Sequence, residues 1–135
     1  MWNHLVSGLR SARYTNALYK SMSTASAGPK LHKFFLYAPD IEGSASKRFE
    51  VRARHLKDIA PAIRDGIVKV GGMMITPDSL ETGSAPKPLG SCIIYEAESL
   101  DAVKKMVESD VYYTTGVWDR EKLVIVPFLS ATPFP

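Results

Sequence analysis

Cysteine and histidine are scarce in this sequence. Its 135 residues include one cysteine, Cys92, and three histidines. A single cysteine excludes an internal disulfide framework and any zinc or iron–sulfur site built from several thiolates. His4 and His32 lie in or beside the N-terminal segment, so no set of metal ligands forms around His55, and we predict neither a metal nor another cofactor. No apolar run approaches the ~18 residues that a bilayer-spanning helix needs, which predicts no membrane insertion.

Acidic residues are missing from the beginning of the chain. No Asp or Glu precedes Asp40, and residues 1–30 contain four of the 17 Lys and Arg residues. The rest of the chain therefore has 13 basic residues against its 14 acidic residues, a net charge of −1. A nucleic-acid-binding domain would carry a positive surface on its folded part. The charge distribution thus argues against a nucleic-acid partner.

The N-terminal segment has the composition of a targeting peptide. It is free of acids and rich in Arg and Ser, and at helical spacing its apolar residues, Trp2, Leu5 and Leu9 among them, fall on one side. These features are typical of mitochondrial transit peptides, whereas the continuous apolar stretch of a secretory signal is absent. We predict that residues 1–30 are a leader to the mitochondrial matrix and that residues 31–135 form one domain. In the alternative, the segment is a disordered or loosely helical extension, and the protein is cytoplasmic.

Six elements are predicted for the domain. Short apolar and aromatic runs predict strands at residues 33–38, 67–75, 91–97 and 123–128. One helix is predicted between the first two strands and another between the last two. The order β-α-β-β-α-β is the ferredoxin-like split arrangement, an α+β fold with an antiparallel sheet.

The two predicted helices have capping residues and apolar faces. The first begins at a cap, Ser46, and ends near residue 65, with a kink expected at Pro61. Its predicted inner face consists of Phe49, Leu56, Ile59, Ala60 and Ile63. The second follows a cap at Ser99 and buries Leu100, Val103 and Val107. Residues 76–89, rich in Pro, Gly and Ser, are predicted to be irregular.

The predicted strands are apolar on both sides. Residues 34–37 and 93–95 are apolar or aromatic at odd and even positions alike, so both sides of each strand are apolar. Helices of this fold cover only one sheet face, so the second face needs another cover. We predict a homodimer with the two sheets packed face to face.

The first predicted helix carries an arginine inside its apolar stripe. Arg52 falls within the stripe, and His55 falls at its border. A guanidinium in an apolar setting is costly without an anion, because it cannot lose its charge. Arg52 would then face a carboxylate of the substrate or of the protein, with His55 as an acid or base one turn further on. In the alternative, Arg52 extends to solvent and His55 is an ordinary border residue.

Three further features have a functional and a structural interpretation. Asp110, after the second helix, is either a helix-end cap or solvated charge, or the group that orients an imidazole. The pair Gly71-Gly72 inside a strand indicates a bulge or a close approach of the backbone to a ligand. Cys92, in an apolar strand, favours a buried and unreactive thiol.

Several short motifs occur in a characteristic order. They are Arg52-x-x-His55-Leu56, Gly90-Ser91-x-x-Ile94-x-Glu96-x-Glu98-Ser99-Leu100, Asp110-x-Tyr112 with Gly116-Val117, and Pro127-Phe128. Together they resemble the YCII-related (YciI-like) domain family over roughly residues 33–129. The resemblance implies the dimeric α/β-barrel form of the ferredoxin-like fold. It also implies a histidine–aspartate dyad in a pocket, which maps onto His55 and Asp110, with Arg52 at the matching arginine.

The chain departs from the family pattern in two places. Val111 follows the aspartate where a proline is usual, and the region of Gly72 has Gly-Gly-Met in place of Ala-Gly-Pro. Both changes lie at the wall of the implied pocket. The substrate therefore need not be that of other members.

The resemblance leads to a prediction of function. Relatives in the wider barrel group include a dehydrochlorinase of a chlorinated hydroxyquinol, muconolactone isomerases and cofactor-independent monooxygenases. We predict a small cofactor-independent lyase or isomerase that transfers protons on a small cyclic or aromatic compound. His55 would be the general base, Asp110 would orient it, and Arg52 would hold an anionic oxygen. The predicted substrate-binding residues are Tyr37, Gly72 and Tyr112.

A non-catalytic, YCII-like dimer that binds a small molecule is the alternative to an enzyme. The dyad interpretation also makes a geometric prediction, whose alternative is that His55 bonds to a local backbone group while Asp110 faces solvent far from it. Because the two helices of this fold pack side by side, we expect His55 and Asp110 to come within hydrogen-bond or one-water reach.

Overall fold

The chain folds into a four-stranded sheet with helices on one face. The computed structural model describes residues 27–134, so the predicted leader lies largely outside the described residues. The elements in chain order are β1 (His32–Pro39), α1 (Ala45–Arg64), β2 (Val68–Ile75), a 3-10 turn (Pro77–Leu80), β3 (Pro88–Ala97), α2 (Leu100–Ser109), α3 (Val111–Thr114) and β4 (Val124–Phe128). The sheet order is β2-β3-β1-β4 and all neighbouring strands are antiparallel. The predicted α+β, ferredoxin-like fold is confirmed.

The inner face of the sheet forms the core with the helices. Strand alternation places Phe34, Leu36 and Ala38 of β1 on this face, and all three are buried. Val103 and Val107 of α2, which were predicted to face inward, are 0% and 1% exposed. The predicted cap of α2 is also confirmed, because Ser99 Oγ accepts the N–H of Ala102 at 3.1 Å. Within the described residues no helix has the length and apolar character that a membrane span requires.

The outer face of the sheet is apolar and uncovered by the helices. Its exposed large residues are Tyr37, Val70, Val124, Val126 and Phe128, each between 37% and 44% exposed. Phe35 and Ile94 face each other at its centre. The predicted two-sided apolar character of the strands is therefore present. The homodimer that was predicted to cover this face stays a prediction.

The predicted inner face of α1 is largely wrong, although Ile59, one of its residues, is partly buried and packs against the core. Phe49, Leu56 and Ile63 are 49%, 43% and 53% exposed, and the buried residues of the helix are Arg48 and His55. Hydrophobic periodicity assigns the apolar stripe to the core, but here the polar side of the helix finds compensating partners on β3 and around α3. The helix also begins earlier than predicted, after Ser44, and Pro61 is accommodated in its last turns.

Residues 76–89 are more regular than predicted. Residues Pro77–Leu80 form a 3-10 turn, and β3 begins at Pro88, which pairs with Ile75. The backbone N–H of Thr76 donates to the carbonyl of Lys87 at 3.0 Å. The segment is thus the closed loop of the β2–β3 hairpin, which local composition alone does not reveal.

Candidate active site

His55 and Asp110 are in direct contact. Nδ1 of the imidazole lies 2.9 Å from Oδ1 of Asp110 and 2.9 Å from Oδ2. Each side chain is 10% exposed. His55 comes from the middle of α1, and Asp110 is the residue between α2 and α3. The expected proximity of the two side chains is what the structure shows, whereas their catalytic role stays a prediction.

The backbone around Asp110 fixes its carboxylate. Asp110 caps α3, and its Oδ1 accepts the N–H of Tyr112 at 2.8 Å. Turning the side chain away from His55 would remove this cap. Because an ionised carboxylate only accepts hydrogen bonds, the neutral imidazole carries its proton on Nδ1. Nε2 is then the basic nitrogen, and it is not enclosed and has no hydrogen-bond partner within residues 27–134.

Two aromatic rings hold the plane of the imidazole. The ring of Tyr112 stacks on His55 at 4.0 Å and 17°, and Trp118 meets His55 edge-on at 6.2 Å. Tyr112 and Trp118 also contact each other edge-to-face at 5.6 Å. Both are buried, at 1% and 0% exposure. Burial raises the pKa of the Tyr112 phenol, although the charges of Arg48 and Arg52 lower it.

Arg48 is the buried arginine of α1. Its Nη1 donates to Asp40 Oδ1 at 2.7 Å and its Nη2 to Ser91 Oγ at 2.9 Å. Its guanidinium also lies 4.5 Å from the centre of the Tyr112 ring. Arg48 and His55 are two helical turns apart, so the ring of Tyr112 lies between them. The three side chains form one stack whose ends are fixed by Asp40 and Asp110.

Sequence reasoning missed Arg48 and assigned its environment to Arg52. The signal that pointed to Arg48 was its spacing, since a residue seven positions before His55 lies on the same side of a helix. Arg52 is instead exposed, and it makes no ion pair or hydrogen bond among the described residues. The prediction that Arg52 lies buried in an apolar stripe is wrong, because most of that stripe, including Phe49 and Leu56, is itself exposed. Arg52 nevertheless reaches the cavity described below.

The Asp40–Arg48 pair is buried without full compensation. The side chains are 6% and 4% exposed, respectively. Asp40 Oδ2 and Arg48 Nε have no hydrogen-bond partner among residues 27–134. Burial raises the pKa of the Asp40 carboxyl, although Arg48 lowers it. A buried pair of this kind is weak support for stability, and its consequence here is the fixed position of Arg48.

A cavity of about 350 Å³ opens beside the dyad, between α1 and the inner side of β2 and β3. Its polar lining consists of Arg48, Arg52, His55, Lys69, Ser91 and Tyr112. Leu56, Ile59 and Ile63 of α1 form an apolar wall. Among the charged groups, Lys69 is already paired with Glu96 at 3.0 Å. The cavity thus combines an apolar wall, the Nε2 side of His55 and the guanidinium of Arg52, which has no ion-pair partner within residues 27–134.

Of the predicted substrate-binding residues, the structure brings two to the cavity. Gly72 and Tyr112 line it, together with Gly71. Tyr37 does not: it is 40% exposed and lies on the outer face of the sheet, opposite Cys92 and Val124. The prediction of Tyr37 as a substrate-binding residue of this pocket is therefore wrong, because strand alternation directs its side chain away from the helices.

Cys92 lies outside the cavity. It is partly buried on the outer face, and burial raises the pKa of its thiol. A thiol with a raised pKa is a poor nucleophile at neutral pH. This environment agrees with the predicted unreactive cysteine.

Comparison with known proteins connects this site to a family. The YCII-related domain matches residues 32–128. Fusaric acid biosynthesis protein 2 of Gibberella fujikuroi is 32% identical over 101 residues, covering 75% of this chain and 96% of that protein. Protein YciI of Escherichia coli O6:H1 is 34% identical over 95 residues, covering 70% of this chain and 94% of that protein.

A solved structure has the same fold. It is the 5-chloro-2-hydroxyhydroquinone dehydrochlorinase TftG from Burkholderia phenoliruptrix, in complex with 2,5-dihydroxybenzoquinone. The TM-score is 0.62 at 28% sequence identity, and the match covers 72% of this chain and 93% of TftG. The family match covers most of the chain, and relatives above 30% identity match along almost their whole length. This chain is therefore a member of the YCII-related domain family.

Proposed function

We propose that this protein is a small cofactor-independent enzyme that transfers protons on a small cyclic or aromatic compound, in an elimination or an isomerisation. The observation that carries the proposal is the contact of His55 Nδ1 with Asp110 at 2.9 Å, at the wall of a cavity. A histidine held in this way has one nitrogen fixed by a carboxylate and the other available to a ligand. In support, the structural neighbour TftG is a dehydrochlorinase.

His55 is the general base of the proposed reaction. Nε2 takes a proton from an O–H or C–H bond of the substrate, and the electron pair of that bond forms a new double bond. In an elimination the leaving group departs with the electrons of its own bond, and in an isomerisation the proton returns to a different atom. Asp110 stabilises the imidazolium that forms, without taking the proton itself.

Arg52 is the proposed partner of an anionic oxygen of the substrate. It lines the cavity and makes no ion pair among the described residues. The cavity volume of about 350 Å³ is at the lower end for ligand pockets, which suits a compound with a single ring. The apolar wall formed by Leu56, Ile59 and Ile63 would contact the ring faces, and backbone groups at Gly72 would contact the ring edge.

The assembly and location of the protein are parts of the same proposal. The apolar outer face of the sheet, with Val124, Val126 and Phe128 exposed, supports a homodimer in which two sheets pack together. Analytical ultracentrifugation would detect it, and a change of Val126 to Glu would dissociate it. Targeting to the mitochondrial matrix rests on the composition of residues 1–30. It is tested by the location of a fluorescent fusion with and without that segment.

Turnover assays test the enzyme proposal. The wild-type protein is incubated with 5-chloro-2-hydroxyhydroquinone and a panel of cyclic lactones, with chloride release and absorbance as readouts. His55→Ala should lower kcat by about 10²–10⁴-fold, since a positioned acid–base group contributes about that much. Arg52→Ala should raise KM. Arg54→Ala is the matched control, because Arg54 lies on the same helix, is 73% exposed and pairs with Asp58.

Two outcomes would contradict the proposal. If His55→Ala turned over a substrate as fast as the wild type, the dyad would not be catalytic. If the wild type bound 2,5-dihydroxybenzoquinone but converted no compound of the panel, the site would belong to a binding protein.

A further inference from the structure

Ser91 is a polar residue of the cavity that the proposed mechanism does not use. It belongs to the motif Gly90-Ser91-x-x-Ile94, lies on the inner side of β3 and is 3% exposed. Its Oγ accepts hydrogen bonds from Arg48 Nη2 at 2.9 Å and from Trp118 Nε1 at 3.1 Å. Both are donor-only groups, so the serine oxygen acts as an acceptor in both contacts.

The Ser91 hydroxyl has one hydrogen-bonding position left, that of its proton. A serine hydroxyl has two lone pairs and one proton. Arg48 and Trp118 occupy the lone pairs, so the proton points in the remaining tetrahedral direction. None of the hydrogen bonds among residues 27–134 gives this proton an acceptor. A buried donor without a partner costs free energy unless a ligand or water accepts from it.

We propose that the Ser91 hydroxyl donates a hydrogen bond to an acceptor oxygen of the bound ligand, a carbonyl or an ionised hydroxyl on its ring. The inference rests on the proposed function only in taking the same cavity as the ligand site. It makes Ser91 a specificity-determining residue: ring compounds with oxygen acceptors are selected over those that present only N–H donors at that position.

The two donors to Ser91 are themselves fixed. Arg48 is held by Asp40 at 2.7 Å, and Trp118 is fully buried. The hydroxyl proton is therefore oriented before the ligand binds, so no rotation of the serine has to be frozen on binding. The positive charge of Arg48 on the oxygen also makes the hydroxyl a stronger donor, because hydrogen bonds in a chain polarise one another. Arg48 is thus a positioning residue that acts through Ser91.

Titration with 2,5-dihydroxybenzoquinone tests the inference by binding alone. Ser91→Ala should weaken the affinity by about 10- to 100-fold, as expected for the loss of a hydrogen bond to a charged or strongly polar oxygen. The visible absorption band of the bound quinone should also shift toward its position in free solution, because the donated hydrogen bond is gone. A merely structural role for Ser91 would leave that band unchanged.

Matched variants separate the donor from the stability of the fold. Ser99→Ala also removes a serine oxygen that accepts one N–H, but Ser99 caps α2 away from the cavity, so its affinity should stay within about twofold of the wild type. Ser91→Cys keeps the shape of the side chain and replaces the hydroxyl by a weak donor. It should show the same loss and band shift, and it serves where Ser91→Ala does not fold.

The result that overturns the inference is wild-type affinity and an unshifted band in Ser91→Cys or Ser91→Ala. Failure of the wild type to bind any oxygen-bearing ring compound would overturn it too. Failure of the proposed enzyme is a different result. The wild type would then bind the quinone and convert no substrate, while Ser91→Ala and Ser91→Cys would still show the weaker affinity and the shifted absorption band.

Discussion

Replacing Asp110 by Asn is the most informative single change in the dyad. The variant Asp110→Asn keeps the size of the side chain and its ability to cap α3, since Asn is as good a cap as Asp. The contact with the Tyr112 N–H at 2.8 Å is therefore retained. With Oδ1 kept as an oxygen, the amide N–H₂ group takes the place of Oδ2, which lies 2.9 Å from His55 Nδ1, and this group can now donate to the imidazole.

The expected loss of kcat in Asp110→Asn follows from the tautomer of His55. If the Asn amide donates to Nδ1, the imidazole proton moves to Nε2, and the nitrogen facing the cavity is no longer a base. The imidazolium formed during reaction also loses its carboxylate. In serine proteases the equivalent replacement lowers kcat by about 10⁴-fold, so we expect a loss of about 10³–10⁴-fold in kcat here. KM should change little, because in the proposed mechanism the ligand would contact Arg52 and the apolar wall and not Asp110.

The assay combines turnover with a measurement of the fold. Thermal unfolding should place the Tm of Asp110→Asn within a few degrees of the wild type, and Asp58→Asn is a control for a carboxylate on the exposed side of α1 that pairs with Arg54. A variant Asp110→Asn with wild-type kcat on a substrate that His55→Ala does not convert would refute the role given to the tautomer. His55 would then act without orientation by a carboxylate.

Two predictions concern the contribution of β3 residues to stability. Gly90→Ala should destabilise the protein by about 2–4 kcal/mol in urea unfolding, because a Cβ at Gly90 would lie 2.4 Å from the carbonyl oxygen of Ala38. Gly72→Ala is the control, because its Cβ would meet nothing within 4 Å. Equal stabilities of the two variants would contradict this reasoning. Hydrogen bonds from Lys69 and Lys33 lower the pKa of Glu96 below its ordinary value of 4.5, so its stabilisation is present above that value and is lost as the pH falls through the lowered pKa. Glu96→Gln should therefore make Tm depend less on pH in this acidic range, and an unchanged pH profile would show that the ion pairs contribute nothing.

Most of the fold was predictable because its signals are local. Short apolar and aromatic runs predicted four strands in the correct order, and the serine before α2 identified its cap. The outer face of the sheet was also foreseeable, since residues of both parities are apolar. The order of motifs led to His55 and Asp110 through the resemblance, although they lie 55 positions apart.

The environment of α1 was not predictable from its own residues. The buried side of the helix contains Arg48 and His55, and their partners lie elsewhere in the chain: Ser91 is 43 positions from Arg48, and Asp110 is 55 positions from His55. Burial of these polar groups is permitted by contacts that form only in the folded chain. Hydrophobic periodicity does not include such contacts, so it assigned the core to the side with Phe49 and Ile63. Tyr37 was misplaced for a related reason, since a strand that is apolar on both sides does not reveal which side faces the helices.

The different burial of Arg48 and Arg52 predicts different losses of stability when each is replaced. Arg48→Met leaves the Asp40 carboxylate buried without its cation, and breaking a buried pair in this way costs about 3–5 kcal/mol. Arg52→Met changes an exposed side chain and should stay within about 0.5 kcal/mol of the wild type in urea unfolding. Burial already raises the pKa of the Asp40 carboxyl above its ordinary value of 3.8. Between 3.8 and the raised pKa, Asp40 therefore binds more protons in the folded wild type than in the unfolded chain. Its contribution to stability falls as the pH rises through this range.

Without Arg48 the pKa of Asp40 should rise further, since the charge that lowers it is gone. The stability deficit of Arg48→Met should therefore shrink as the pH is lowered toward the range where Asp40 is protonated, and it should shrink at neutral pH in the double variant Arg48→Met, Asp40→Asn. A deficit that is the same at every pH and is not reduced in the double variant would mean that Arg48 stabilises the protein only by packing on Tyr112. The polar side of α1 would then owe its burial to shape and not to the compensation of charge.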